Sequence, residues 1–306
     1  MLDIAKIISI TLLYSAPLMF TAMGGIMSEN AGVVNVGLEG MMTIGALVGA
    51  SVAYFTGNPW IAFLAAGLAG MLLALLHAIA TVTFHADHVI SGTAINFIGP
   101  GLSLFLCRLF FDGAAMTKTV AQGGTMPKVF AGVFPKNSFW DIVLSQHITI
   151  YMAFALIGIV WFMLYKTKLG LRIRAVGEHP KAADTLGINV NRIKYFSVLI
   201  AGMFAGFGGA AMSIAVVSHW RITLISGQGF IALAAVIFGK WKPQGALAAC
   251  LLFGASQGLV VYFGGNPNVP LELLNMLPYV ITLVVLILFV GESRGPAANG
   301  QPYIKD

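Results

Sequence analysis

The sequence predicts an all-α, polytopic membrane bundle of about nine spans, with eight to ten as the range, and three observations predict it. Of 306 residues, 58% are apolar, enough for roughly nine stretches of the ~20 residues that cross a ~30 Å hydrocarbon core. Charged side chains make up 9% of the chain, against about 25% in ordinary soluble proteins, too few to keep a water-facing surface dispersed. The mean hydropathy of +0.89 points the same way. Soluble enzyme classes are largely excluded, and residues 1–306 read as a single transmembrane domain.

Charge, glycine and proline punctuate the spans in order. The first covers about Ile7 to Met27; Asp3 and Lys6 precede it without a clean cleavage site, so it reads as a retained span, not a removed signal. The second covers Gly37 to Phe55, the third runs from Asn58-Pro59 to Phe84, and the fourth from Val89 to Phe111. A polar loop, 112–146, separates these from the fifth span, His147 to Tyr165, and the sixth, Ile193 to Val217. The stretch Phe230 to Phe263 is interrupted by Lys240, Lys242 and Pro243 and splits into a short piece and a full span. The last span is Leu271 to Val290, followed by a polar tail, 291–306.

Basic residues orient the bundle. Lys166, Lys168, Arg172, Arg174, Lys181, Arg192 and Lys194 fall in one loop, 166–194, whereas the 112–146 loop holds Lys118, Lys128 and Lys136. The positive-inside bias predicts that the first loop is cytoplasmic and the second extracytoplasmic. Alternation then puts the tail inside and, with nine spans, the N-terminus outside.

Absent motifs narrow the chemistry. The sequence has no G-x-x-x-x-G-K-[ST] phosphate loop, no dinucleotide fingerprint, no CxxC and no recognisable Ser/His/Asp spacing, so no catalysis is expected of this chain. Ionisable residues are scarce deep in the spans, which argues against a proton-driven transporter; sodium coupling through backbone carbonyls stays open. Cys107 and Cys250 read as small core residues. His85 and His88, flanking Asp87, have an i,i+3 spacing that could ligate zinc, but they lie at a turn where polar residues are expected, and no metal site is assigned. Glycine pairs four apart (Gly45/Gly49, Gly202/Gly206, Gly254/Gly258) suit close helix crossings within one chain.

Two segments stand out. Residues 24–42 join two spans with Glu29, Glu39, Asn30, Asn35 and five glycines near the membrane interface, where irregular backbone is tolerated only inside protein or beside water. Asn35 could cap the next helix and Glu39 oppose its dipole; alternatively both lie beside a permeation path. In the 166–194 loop, Pro180 suits a first helical position and Gly187 a left-handed stop. The two-turn surface helix between them would turn Ala182, Ala183 and Leu186 to one apolar face and keep Lys181 and Asp184 wet, a form fit for docking a partner.

The stretches GGIMSENAGVVNVGLEGMMTIGA, LGLRIRAVGEHPKAADTLGINV and GQGFIALAAVIFGKWKPQGALAACLLFGASQG together resemble the permease subunits of bacterial ABC importers of the type II branched-chain amino acid and simple-sugar superfamily, and within it the nucleoside branch. GKWKP departs from the expected pattern at its tryptophan. The resemblance implies that Glu178, His179, Pro180, Lys181, Ala182, Ala183, Asp184, Thr185, Leu186 and Gly187 form the coupling helix of an inner-membrane permease, seated on a separate ATP-binding subunit that carries ATP and magnesium. No cofactor would be bound by this chain. The resemblance further implies a second, related permease forming a heterodimer with this one and a lipid-anchored or periplasmic binding protein, with membrane lipid around the importer and no nucleic acid. For a neutral nucleoside cargo, amides and aromatic faces are apt contacts; Asn96, Phe97 and Gln257 join Asn35 and Glu39 as pathway candidates, and Tyr14, Ser15 and Thr11 share one side of the first span. A simple sugar or other small neutral solute is the alternative cargo, and an ATP-independent channel or facilitator the alternative class.

Overall fold

The apolar stretches fold as helices in the expected order. The computed structural model describes residues 2–264, 270–289 and 294–304. Its long helices are α1 (Leu2–Asn30), α2 (Leu38–Thr56), α3 (Pro59–Ala78), α4 (His88–Phe110), α6 (Ile148–Lys166), α9 (Val190–Ala211), α11 (Pro243–Phe263) and α12 (Leu271–Phe289). Shorter helices are α5 (Phe139–Leu144), α7 (Lys168–Glu178), α8 (Pro180–Thr185) and α10 (Gln228–Phe238). π-Helical turns extend α3 through Thr83 and α9 through Val216. Among the described residues, seven helices are long and apolar enough to cross a membrane. With α10 and α12 they match the nine expected pieces one for one; Val290, the expected end of the last, lies outside the described residues.

Local chemistry explains the boundaries. Asn58 caps α3, its side chain accepting from the amides of Trp60 at 2.9 Å and Ile61 at 3.3 Å, with Pro59 in the first turn, where its missing N–H costs nothing. Asp87 caps α4 in the same way, accepting from Val89 and Ile90. α1 continues through Gly24 and Gly25 to Asn30, beyond the expected Met27. There glycine serves close approach: a Cβ at Gly24 would press on the Ala201 carbonyl of α9.

α9 runs through the middle of the bundle against α1, α2 and α3, and α11 lies along α1. Gly45 of α2 meets Gly206 of α9 backbone to backbone, and Gly254 and Gly258 of α11 face Ser15 and Thr11 of α1. These glycine pairs therefore pack helices of the same chain.

The bundle has two ends of different character. At one, α7, α8 and the segment 294–304 gather with the last turn of α1: Ala298 donates its amide to the Gly177 carbonyl at 2.9 Å, and Gly300 to Gly32 at 3.2 Å. We call this the tail end. At the other, the 112–146 loop folds over the end of α9, with Thr117 and Val120 amides donating to Trp220 and Ser218 carbonyls. Gln146 reaches Ser9 of α1 there, so α1 starts at this loop end.

The seventh of the nine pieces is broken. Residues 217–227 turn back from the loop end into the bundle, burying Leu224 and Ile225, and α10 completes the passage to the tail end. Trp220, Leu224 and Ile225 anchor this irregular stretch inside the protein, while Arg221, Ile222, Thr223 and Ser226 stay exposed.

Candidate functional site

Glu39 sits where α2 begins and α10 begins. Its two carboxylate oxygens accept the amides of Gly227 at 2.6 Å and Gly229 at 2.7 Å, so the free N–H groups opening α10 are satisfied by an anion from α2. The sequence suggested that Glu39 opposes the dipole of its own helix; it also closes that of a helix 188 residues away.

Asn35 does not cap α2. The N-cap is Gly37, two residues later, and the capping atom comes from α4: Asn96 Oδ1 accepts the Gly40 amide at 2.9 Å, while its Nδ2 donates to the Val36 carbonyl at 2.9 Å. Asn35 is buried, with its Nδ2 3.7 Å from the sulfur of Met41 and its Oδ1 unpartnered among the described residues. Asn96, expected beside a cargo, thus spends both ends of its amide on the turn that starts α2. Phe97, its neighbour, points the other way and is 78% exposed.

Gln257 has a different setting. It lines a cavity of about 330 Å³ with Tyr14 of α1, Ser226 and Gln228 at the head of α10, and Val260 of α11. The Oε1 atoms of Gln228 and Gln257 are themselves buried and lack hydrogen-bond partners among the described residues. Tyr14 faces this cavity, whereas Ser15 donates to the Thr11 carbonyl at 2.7 Å in the helix contact with Gly254. Ser226 and Gln228 come to the cavity from SGQG, a polar turn between apolar runs in which Gly227 takes φ +92°, a backbone that glycine permits.

The helix at 180–185 forms as its sequence suggests, with Pro180 in the first turn and Gly187 at φ +78°. Its side chains divide differently. Ala183 is 2% exposed and packs with Val176, Val190 and Tyr303, so it belongs to the fold. Ala182 and Leu186 are exposed, Leu186 to 82%, as are Lys181, His179, Glu178, Thr185 and Gly187; Asp184 is half-buried. α7 precedes it where only loop was expected, started by Thr167 Oγ1 accepting from the Gly170 amide at 3.2 Å.

The histidines near the α3–α4 turn are separately engaged. His88 Nδ1 accepts the Val34 amide at 3.2 Å, and His85 Nε2 lies 3.0 Å from the Tyr303 carbonyl. His77 bridges Ser91 Oγ at 2.9 Å and the Val34 carbonyl at 3.1 Å. Among the described residues, no three of His, Cys, Asp and Glu are grouped to hold a metal ion.

The chain thus presents an open, largely apolar cavity edged by Tyr14, Gln228 and Gln257, and an exposed short helix at its tail end. The family model for the permease component of branched-chain amino acid transport systems matches residues 7–289. The chain belongs to this permease family. It is 44% identical to the guanosine ABC transporter permease protein NupQ of Bacillus subtilis, covering 99% of both chains. It is 40% identical to the nucleoside ABC transporter permease protein NupC of Lactococcus lactis, covering 98% of this chain and 96% of that one. NupP, a guanosine ABC transporter permease protein of the same Bacillus, is 27% identical over 86% of this chain and 74% of its own. The permease is a multi-pass protein of the bacterial plasma membrane and a non-catalytic component that works with ATPase and substrate-binding subunits.

Proposed function

We propose that this permease is one half of the pathway of an ATP-driven nucleoside importer. The observation that carries the cargo is its full-length likeness to permeases named for guanosine and nucleosides. The cavity suits such a solute. A nucleoside is neutral, with one face to stack and hydrogen-bonding groups at its edges; Tyr14 supplies a ring, and Gln228 and Gln257 supply side-chain amides.

The remaining assignments follow from charge and shape. The tail end carries Lys166–Lys194, Lys240, Lys242 and Arg294, against Lys6, Arg108, Lys118, Lys128, Lys136 and Arg221 toward the loop end, so the tail end is read as cytoplasmic. Residues 178–187 then form the coupling helix on a separate ATP-binding subunit, which binds ATP and magnesium. The cavity opens beside Val261, itself 47% exposed, and lipid cannot satisfy its amides; a second permease closes it. The similarity of both NupQ and NupP of one organism to this chain favours a related but different second permease. A lipid-anchored binding protein delivers solute to the loop end, and alternating access moves it inward.

Proteoliposomes holding the assembled transporter test this reading. Labelled guanosine should accumulate only with ATP, and excess ribose should not compete. Gln228→Leu and Gln257→Leu should each lower uptake by about tenfold, as expected when a polar contact to the cargo is lost. Guanosine flux through this chain alone without ATP, or full competition by ribose, would contradict it.

A further inference from the structure

We infer that the segment 294–304 is a strap through which movement of α8 reaches α10, with Asn299, Glu29 and Trp241 as its positioning residues. The inference rests on the docking role proposed for α8. The strap touches each element that would have to move together. Its Ala298 amide donates to Gly177 of α7 at 2.9 Å, and its Gly300 amide to Gly32 beyond α1 at 3.2 Å. Lys194 of α9 donates to its Gln301 carbonyl at 3.2 Å.

The strap, α1 and the α10–α11 turn converge on one carboxylate. Glu29 is 3% exposed and lies at the C-terminal end of α1, the end whose carbonyls disfavour an acid. It accepts the indole N–H of Trp241 and the side-chain amide of Asn299, the latter at 3.4 Å. Asn30 adds a bond from its Nδ2 to the Trp241 carbonyl at 3.2 Å. Lys240 and Trp241 both take left-handed backbone, φ +52° and +55°, which side chains disfavour; the turn is held in this shape with its indole on Glu29 and against Gly295 of the strap.

α10 is the piece that can transmit. It is a rod of 11 residues, about 16 Å long, joined at one end to this turn and at the other to Gln228 and the glycines bound by Glu39. Displacement of α8 pulls the strap, the strap shifts Glu29 and Trp241, and the rod carries that shift to the cavity. The contacts are contiguous from one site to the other, and their coupling is what must be measured.

The test uses the complete transporter in proteoliposomes and reads ATP hydrolysed per nucleoside imported. Trp241→Phe keeps an aromatic side chain but removes the N–H and the part of the indole that meets Gly295; Asn299→Ala removes the second donor alone. Each should raise the ATP cost per solute by about tenfold while hydrolysis stays near wild type, and the double variant should be no worse than the singles because both act through Glu29. An unchanged ratio, whether both rates stay or both fall, would overturn the inference, and so would failure of both variants to assemble, which would assign these residues to folding. Absence of ATP-driven uptake by the wild type would instead refute the importer reading itself.

Discussion

Leu186→Asp is expected to reduce ATP-driven uptake more than tenfold while leaving permease abundance unchanged. Leu186 is a large apolar side chain, 82% exposed, at the end of a short helix on a polar loop. It costs the fold nothing to change. In a docked complex it would fill a pocket of the ATP-binding subunit, and a buried interface anchor replaced by a charge loses about 2 kcal/mol or more of binding, a factor of roughly 30. Ala182→Glu should act alike. Ala183→Glu should not: that side chain packs inside against Val176, Val190 and Tyr303, so a carboxylate there lowers the amount of folded protein as well. Uptake per milligram of membrane-inserted permease, measured for the three variants together, separates a docking surface from a folding core.

Glu39→Ala should have the largest effect on stability. It leaves the Gly227 and Gly229 amides facing an apolar interior, each unmet donor costing about 1–3 kcal/mol. A loss on the order of 4 kcal/mol is a large share of a fold that is typically stable by 5–15 kcal/mol. The melting temperature of the purified permease should fall by on the order of 10 °C. Glu39→Gln, which retains one acceptor oxygen, should fall between wild type and Glu39→Ala. Equal melting of Glu39→Ala and wild type would show that the head of α10 is held by something else.

The fold was legible because it is written in composition and local punctuation. Runs of apolar residues long enough to cross lipid gave the helices, Asn58-Pro59 and Asp87 gave their starts, and Pro180 with Gly187 framed α8. The site was legible only where its chemistry is local. Asn35 looked like a cap because it precedes α2, yet the atom that caps this helix comes from Asn96, 56 residues away from the amide it accepts. The partner of Glu39 is 188 residues distant and that of Glu29 is 212, and no periodicity reports such pairings. The tryptophan of GKWKP looked like a departure from the expected pattern; in the structure it is a donor to a buried carboxylate. A two-turn helix puts Ala182, Ala183 and Leu186 on one apolar side, but Ala182 and Ala183 point about 100° apart, and the tail segment that covers Ala183 arrives more than a hundred residues later.

The central claim is that a separate ATP-binding subunit grips the α7–α8 end of this permease from the cytoplasm. A single cysteine at Leu186 tests it most directly, since Cys107 and Cys250 are both buried. In the assembled transporter, Leu186→Cys should cross-link through a short thiol reagent to the ATP-binding subunit, and in intact cells it should resist a membrane-impermeant maleimide added outside. Labelling from outside, or cross-linking to the binding protein in place of the ATPase, would contradict the account.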